Sequence, residues 1–346
     1  MIKTAQTASA VEKVQVFPSG GIGVVGLGMY LPSRVLRNSD LEKNVDTSDE
    51  WILQRTGISE RRIAAENETT AEMSVRAAKA ALADAGVDGC EIGLVIVATA
   101  SPDYYSPATA PIVQHAIGAA SCAAFDLNAG CTGALYGLVM AHNYIMTGAC
   151  GYALVIGAET LSRLVDWEDR RTCILFGDGA GAAVLGRVSG GGGMLSSMLR
   201  SDGGGANLLT IPGLSITGED LERRNGVKKP TIWMDGGKVM KFASRAMASA
   251  VGDVARGAGF CVDDIDLVIP HQANLRIIEN AAKHMGLSDD RVFVNLNKYG
   301  NTSAASVMIA LTEAVETGRL ADGGLAALVA FGAGLTYGAA LLRWQS

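Results

Sequence analysis

The stretch ALADAGVDGCEIGLVIVATA at 81–100 ends a helical pattern, stops at Gly86, crosses a short acidic loop and enters an apolar Leu-Val-Ile run. VARGAGFCVDDIDLVIPHQA at 254–273 repeats that order, with Leu267 matching Leu94 at an offset of 173. Two more blocks recur in step. GCTGALYGLVMAHNYIMTG at 130–148 matches GNTSAASVMIALTEAVETG at 300–318, offset 170, and Ala153-Leu-Val-Ile-Gly matches Ala327-Leu-Val-Ala-Phe-Gly, offset 174. Three blocks in one order at nearly one spacing make the chain two copies of an α/β unit. The copies span 21–187 and 236–346. The segment 188–235, with Gly190–Gly193 and Gly203–Gly205, falls outside the match and reads as a loop-rich insertion.

Periodicity supplies the elements. Helices are expected at Thr70–Ala85 (capped by Thr69 or Thr70), Pro107–Ile117, Thr132–Met146, Lys238–Arg256, Leu275–Met285 and Ser303–Glu316. Strands are expected at Leu94–Thr99, Ala123–Leu127, Ala153–Gly157 and Leu267–Pro270. The uncharged run Gly323–Leu342 carries five glycines and reads as two buried strands, Leu325–Phe331 and Thr336–Leu342, rather than a membrane span.

Composition narrows the function. Lys plus Arg is 29 and Asp plus Glu is 35, a net charge of −6, and no basic run exceeds two residues. That excludes a general nucleic-acid binder. With 49% hydrophobic and 18% charged residues the chain is too apolar for disorder. The 43 glycines imply tight turns or close backbone approaches. Six cysteines at 90, 122, 131, 150, 173 and 261 form no CxxC, so no metal site is expected. The N-terminus lacks an apolar signal core, which points to a cytoplasmic protein with reduced thiols.

Three residues stand out. Cys131 lies between a strand and a helix N-terminus, in Asn-Ala-Gly-Cys-Thr-Gly-Ala-Leu. There the dipole and free N–H groups should lower the thiol pKa from about 8.5. Taken alone it is either a nucleophile or a packing residue. The other five cysteines read as packing. His271 ends an apolar strand of the second copy, where α/β sheets place ligands. His115, His142 and His284 read as structural. Asn301 by itself is an ordinary N-cap. The repeat makes it equivalent to Cys131, so a pseudo-twofold axis brings the two helix N-termini together. Gly21, Gly23 and Gly26 fit G-x-G-x-x-G, but Pro32 and no helix follow, so a glycine-rich strand is the better reading. The Phe176-Gly-Asp-Gly-Ala-Gly run lacks a Gly-Lys-Ser/Thr ending, and neither G-x-S-x-G nor H-E-x-x-H occurs.

Cys131, Pro-His271-Gln-Ala-Asn and Gly-Asn301-Thr-Ser-Ala-Ala-Ser stand in the order and spacing of β-ketoacyl-ACP synthase III, which the chain resembles from about Gly21 to Arg343. The resemblance continues through Thr47-Ser-Asp-Glu-Trp-Ile, Asp169-Arg170, Phe176-Gly-Asp-Gly-Ala-Gly and Phe331-Gly-Ala-Gly-Leu-Thr-Tyr-Gly. It implies a thiolase fold, internally duplicated in five layers, α-β-α-β-α, with residues 1–20 as an N-terminal extension. It implies that Cys131 takes an acyl group from acyl-CoA. His271 and Asn301 then stabilise the enolate from decarboxylating malonyl-ACP. The backbone N–H groups of Cys131 and Ala333 form the oxyanion hole, Ala333 standing where the family has glycine. The resemblance further assigns Thr47, Trp51, Arg55, Arg170 and Asn274 to CoA, and Lys241, Arg276 and Lys283 to acyl carrier protein. It implies a homodimer with no separate cofactor, both thioesters being substrates, and neither nucleic acid nor membrane as partner. Ser106 replaces a bulky Phe that acetyl-preferring members carry on a loop reaching the partner subunit's acyl pocket, Met240 another aromatic and Gly237 an Asn near the pantetheine channel, which predicts a roomier pocket. The competing readings are a starter-unit or acyl-transfer enzyme of secondary metabolism, an NAD-linked oxidoreductase, and a non-catalytic scaffold.

Overall fold

The computed structural model describes residues 14–17, 21–213, 216, 219 and 230–345. Its strands are β1 (Gln15–Val16), β2 (Ile22–Tyr30), β3 (Val35–Arg37), β4 (Glu60–Arg62), β5 (Ile92–Ala98), β6 (Ala123–Leu127), β7 (Tyr152–Glu159), β8 (Gly179–Arg187), β9 (Gly193–Ser201), β10 (Leu209–Thr210), β11 (Trp233–Met234), β12 (Leu267–Pro270), β13 (Leu325–Gly332) and β14 (Thr336–Arg343). Two five-stranded sheets hold the fold, ordered β2-β8-β7-β5-β6 and β1-β9-β14-β13-β12. Strand pairing is parallel for β5–β6, β5–β7 and β12–β13 and antiparallel elsewhere in both sheets.

Both faces of each sheet are covered, so the strands read as continuous apolar runs. Their alternation still sorts residues between layers. In β5, Leu94, Ile96 and Ala98 enter the core between the sheets, while Val95 and Val97 enter an outer core. In β13, Ala326, Leu328 and Ala330 face that same inner core, while Ala327, Val329 and Phe331 face the other outer core. Helices Gly133–Met146 and Ser306–Glu316 supply the inner layer. Helix Thr70–Ala85 packs outside the first sheet and helices Gly236–Gly257 and Leu275–Met285 outside the second. This is the five-layer duplicated thiolase fold that the repeat and the resemblance led us to expect.

Local sequence sets the boundaries. Thr69 caps Thr70–Ala85 by accepting from Glu72 N–H, and Gly86 ends it in the left-handed region, φ +62°. The two strands expected in Gly323–Leu342 form a hairpin, β13–β14. The G-x-G-x-x-G stretch lies within strand β2 and the residue before it, with no helix after it. No described helix is long and apolar enough to cross a membrane.

Two expectations change. The segment 188–235 is not simply a loop-rich insertion, because it contains β9, which pairs with β14 as β2 pairs with β8. The second copy therefore begins at Gly193 rather than at 236. Glycine-rich flanks at 190–193 and 203–205 concealed the strand. Residues 15–16 of the expected extension form β1 on the edge of the second sheet, and residues 1–13 and 18–20 lie outside the described residues.

Candidate active site

Cys131 sits in the turn between β6 and helix Gly133–Met146, one residue before the N-cap Thr132. The turn is held from the other copy. Thr132 Oγ1 donates to Ala129 O at 2.6 Å and lies 2.7 Å from Thr336 Oγ1. A Cβ on Gly130 (φ +55°) would lie 2.9 Å from Ala333 N, and one on Gly332 would lie 2.6 Å from Cys131 N. Glycine at both places thus brings the peptide nitrogens of Cys131 and Ala333 together, one from each copy. Ala333 itself has no positive φ, so its methyl strains nothing.

Cys131 opens into a cavity of about 560 Å³. Ala333, Gly130, Asn128, Ser101 and Ser303 form its polar floor, and Leu161, Leu164, Phe176, Leu209, Ile211 and Ile232 its apolar walls. The thiol does not have the low pKa its helix position suggested. Burial pushes it up to about 12, and the nearby Glu159 carboxylate adds to the rise, while a Ser303 hydroxyl hydrogen bond opposes it. Removal from water outweighs the helix terminus here.

His271 follows β12 and hangs from β13 through its N–H to Val329 O, 2.8 Å. Its ring is fully buried, 5.2 Å from the Phe331 ring, and burial lowers its pKa to about 3, so it is neutral at pH 7. Nδ1 lies 2.5 Å from Ser306 Oγ, which also accepts from Gln272 N–H at 3.4 Å. With that amide donating to Oγ, the hydroxyl is free to donate to Nδ1, which places the ring proton on Nε2. Nε2 has no protein partner among the described residues. Gln272 braces the segment, donating to Pro270 O and Phe293 O and accepting from the amides of Asn295 and Leu296.

Asn301 is tied to the Phe176-Gly-Asp-Gly run. Its N–H donates to Leu175 O and its carbonyl accepts from Gly177 N–H. Its Oδ1 accepts from Ser303 N–H at 2.8 Å, which turns the amide –NH2 into the available donor. Next to it, Ser303 holds φ +48°, one of two described non-glycine residues with positive φ.

The residues expected to hold CoA cluster at a second location. Trp51 lies in helix Asp49–Thr56, and the guanidinium carbons of Arg55 and Arg170 sit 4.5 and 5.1 Å from its ring centroid. Asp46 O fixes Arg170 at 2.7 Å. Asn274 caps helix Leu275–Met285 and donates to Arg55 O, which joins the two helices. Thr47 Oγ1 is buried without a partner among the described residues.

Other expected residues are placed differently. Met240 does not line the cavity but packs, half-buried, on the outer core of the second copy. Ser106 is exposed, as a loop reaching a partner subunit would be, and Tyr105 beside it lines the cavity. Arg276 donates to Gln54 O at 2.9 Å, bracing the two helices. Lys241 and Lys283 are exposed. Lys238 and Arg245 share a surface with Lys241, Phe242 and Tyr337 and went unnoticed in the sequence, although 238, 241 and 245 repeat at helical spacing. Glu159, Ser303 and Ser306 were also missed, since only the fold brings them to the site.

Family models describe two parts of the chain. Residues 125–203 match 3-oxoacyl-[acyl-carrier-protein (ACP)] synthase III, and residues 256–344 match its C-terminal part. A Symbiobacterium thermophilum protein named β-ketoacyl-[acyl-carrier-protein] synthase III is 53% identical over 93% of this chain and 98% of its own. A protein of that name from Caldanaerobacter subterraneus is 49% identical over the same shares. The crystal structure of 3-oxoacyl-[acyl-carrier-protein] synthase III from Aquifex aeolicus superposes with a TM-score of 0.87 at 45% identity, covering 94% of this chain and 100% of that one. With Cys131 held where the two copies meet and likeness along nearly its whole length, the chain belongs to the β-ketoacyl-ACP synthase III family of condensing acyltransferases.

Proposed function

We propose that this chain joins an acyl group from acyl-CoA to the two-carbon unit of malonyl-ACP, starting fatty-acid synthesis. One observation carries the reading: a cavity-lining thiol beside the Ala333 amide of the other copy, with Asn301 bonded to the cavity-lining Ser303 and a neutral His271 in that same copy. Cys131 attacks the acyl-CoA thioester, the acyl group moves to sulfur and CoA leaves. The N–H groups of Cys131 and Ala333 hold the oxyanion. Malonyl-ACP then loses CO2, and His271 Nε2–H and the Asn301 –NH2 hold the negative charge on its thioester oxygen. A neutral imidazole is a donor too weak in acid to quench the carbanion, which attacks the acyl carbonyl, frees Cys131 and leaves 3-oxoacyl-ACP.

The supports for substrates are local. Trp51 between Arg55 and Arg170 suits a purine of CoA lying against charged planes. The exposed Lys238, Lys241 and Arg245 suit an acidic carrier. A homodimer is supported by the sheet edge β6 with its exposed Phe125, together with exposed Met140, Tyr144 and Met146 on the adjoining helix. The apolar cavity walls favour acyl chains longer than acetyl.

The test is intact mass after incubation with acetyl- to octanoyl-CoA, followed by peptide mapping. An acyl adduct on Cys131, discharged by malonyl-ACP with release of CO2, is expected. Discharge without CO2 makes the protein a transferase, and a strong acetyl preference sinks the roomier-pocket reading.

A further inference from the structure

Glu159 ends β7 with no solvent exposure, and the mechanism above does not use it. Its carboxylate accepts from Ser101 Oγ at 2.5 Å, from Ala100 N–H at 3.1 Å and from Thr99 Oγ1 at 3.2 Å. The Ser303 side chain stands close enough to oppose the rise in its pKa. Such a donor set is built to hold a negative charge away from water. The same Ser303 side chain opposes the rise in the Cys131 pKa. Ser101, Ser303 and Cys131 line one cavity. The packing enforces the arrangement. A Cβ on Gly157, two residues before Glu159 and on the same face of β7, would lie 2.2 Å from Ala304 O, so β7 presses directly on the 303–305 turn.

We propose that Glu159 is the proton acceptor that makes Cys131 a nucleophile, with the Ser303 hydroxyl carrying the proton between them. This rests on the reading of Cys131 as the acylated residue. The thiol proton passes to Ser303 Oγ while the Ser303 hydroxyl proton passes to the Glu159 carboxylate. The thiolate then attacks the acyl-CoA carbonyl and the C–S bond to CoA breaks. The CoA thiolate takes a proton back along the same route, which restores ionised Glu159. The site holds one negative charge throughout. Loss of the thiol proton to water would instead place two anions side by side in a low-dielectric interior. Burial raises the Glu159 pKa, which makes it a stronger base for a thiol that burial has weakened as an acid.

Other titratable groups stand nearby. Asp103 lines the cavity with its carboxylate capping Thr70 and Ala71, Asp178 is bound by Ser162 and Ala64 N–H, and His271 is neutral. Their titrations are common to wild type and variants, so the difference between profiles reads the relay.

The test compares wild type, Glu159→Gln and Ser303→Ala between pH 6 and 10. Alkylation of Cys131 by iodoacetamide and its acylation by octanoyl-CoA are followed by mass, with thermal unfolding as the check of folding. Both variants should react about 10²-fold more slowly at pH 7 in both assays. The deficit should close as pH approaches the thiol's own ionisation. Folded variants that react as fast as wild type, or faster, overturn the proposal, since a mere neighbouring charge would speed the thiol when removed. If Glu159→Gln fails to fold, Ser303→Ala decides alone. If wild type is alkylated in a Glu159-dependent way but accepts no acyl-CoA, the relay stands and the condensing function falls.

Discussion

Gly157→Ala puts a methyl where β7 meets the turn carrying Asn301 and Ser303. The added carbon would lie 2.2 Å from Ala304 O and 2.6 Å from Ala304 C, both backbone atoms, whereas ordinary contact begins near 3.4 Å. The turn must therefore move by the difference, 3.4 − 2.2 = 1.2 Å, unless β7 moves instead. β7 is hydrogen-bonded on both edges, to β5 and β8, so the turn should yield. Overpacking of this kind costs about 1–3 kcal/mol. A displacement near 1 Å of a charge-stabilising donor costs about 10²-fold in rate. Single-turnover discharge of acyl-Cys131 by malonyl-ACP measures that rate, and calorimetry measures the stability. Gly151→Ala is the control, because a Cβ there meets nothing within 4 Å. Wild-type discharge kinetics in a Gly157→Ala protein with an unchanged Tm would refute the argument that this glycine sets the position of the turn.

Ser306→Ala removes the partner of His271 Nδ1 in a buried site. Leaving that nitrogen unpaired costs about 1–3 kcal/mol, so decarboxylation should slow about 5- to 150-fold with acylation little changed, and Ser306→Thr should recover part of it. His142 is buried with neither ring nitrogen paired among the described residues and the Phe17 ring 3.8 Å away, and burial lowers its pKa from 6.5 to about 4. The unfolded chain binds that proton more readily, so stability is full above pH 6.5 and falls as pH drops to about 4. The loss reaches about 3 kcal/mol. Urea titrations should show it shrink in His142→Leu. Replacing Lys241 and Arg245 together by Glu should raise the KM for malonyl-ACP at least tenfold and flatten its salt dependence, while acylation by acyl-CoA stays unchanged.

Elements bounded by local chemistry are legible in the sequence. Thr70–Ala85 has its cap and its glycine stop within the chain's own local pattern, and β6, β12 and helix Leu275–Met285 match their expected bounds. Helix Ser303–Glu316 begins later, at Ser306, because Ser303–Ala305 is a tighter 3₁₀ turn. Cys131 and Asn301 are readable as a pair because duplication maps one onto the other. The cavity is not, since its walls come from Leu161, Phe176, Leu209 and Ile232, which no local pattern connects. Nor is the raised thiol pKa, because sequence reveals a helix start but not the burial that outweighs it. Glu159 looks like the polar end of a strand, and its meaning depends on Ser303, 144 residues away (303 − 159).

The duplication explains why neither copy suffices. Each copy brings a helix N-terminus to the inner layer, but only the first carries the sulfur. Only the second carries His271, Asn301, Ser303 and the Ala333 amide. Close approach of backbones joins them, at Gly130 against Ala333, Gly332 against Cys131 and Gly157 against Ala304, so much of the glycine excess lies where the copies meet. The charges follow the same division. Among the described residues lining the cavity none is a cation, and His271 is neutral, so every new negative charge must arise where donors already wait. Glu159 gives up its charge as the thiolate forms. The charge then moves to the oxyanion between the Cys131 and Ala333 amides, and it returns to Glu159 as CoA is protonated. Decarboxylation later turns the malonyl carboxylate into an enolate held by His271 and Asn301. No step adds a charge to the interior. That is why a buried site can run this chemistry without a cationic side chain beside the sulfur, and why removing Glu159 should slow the first half-reaction far more than the second.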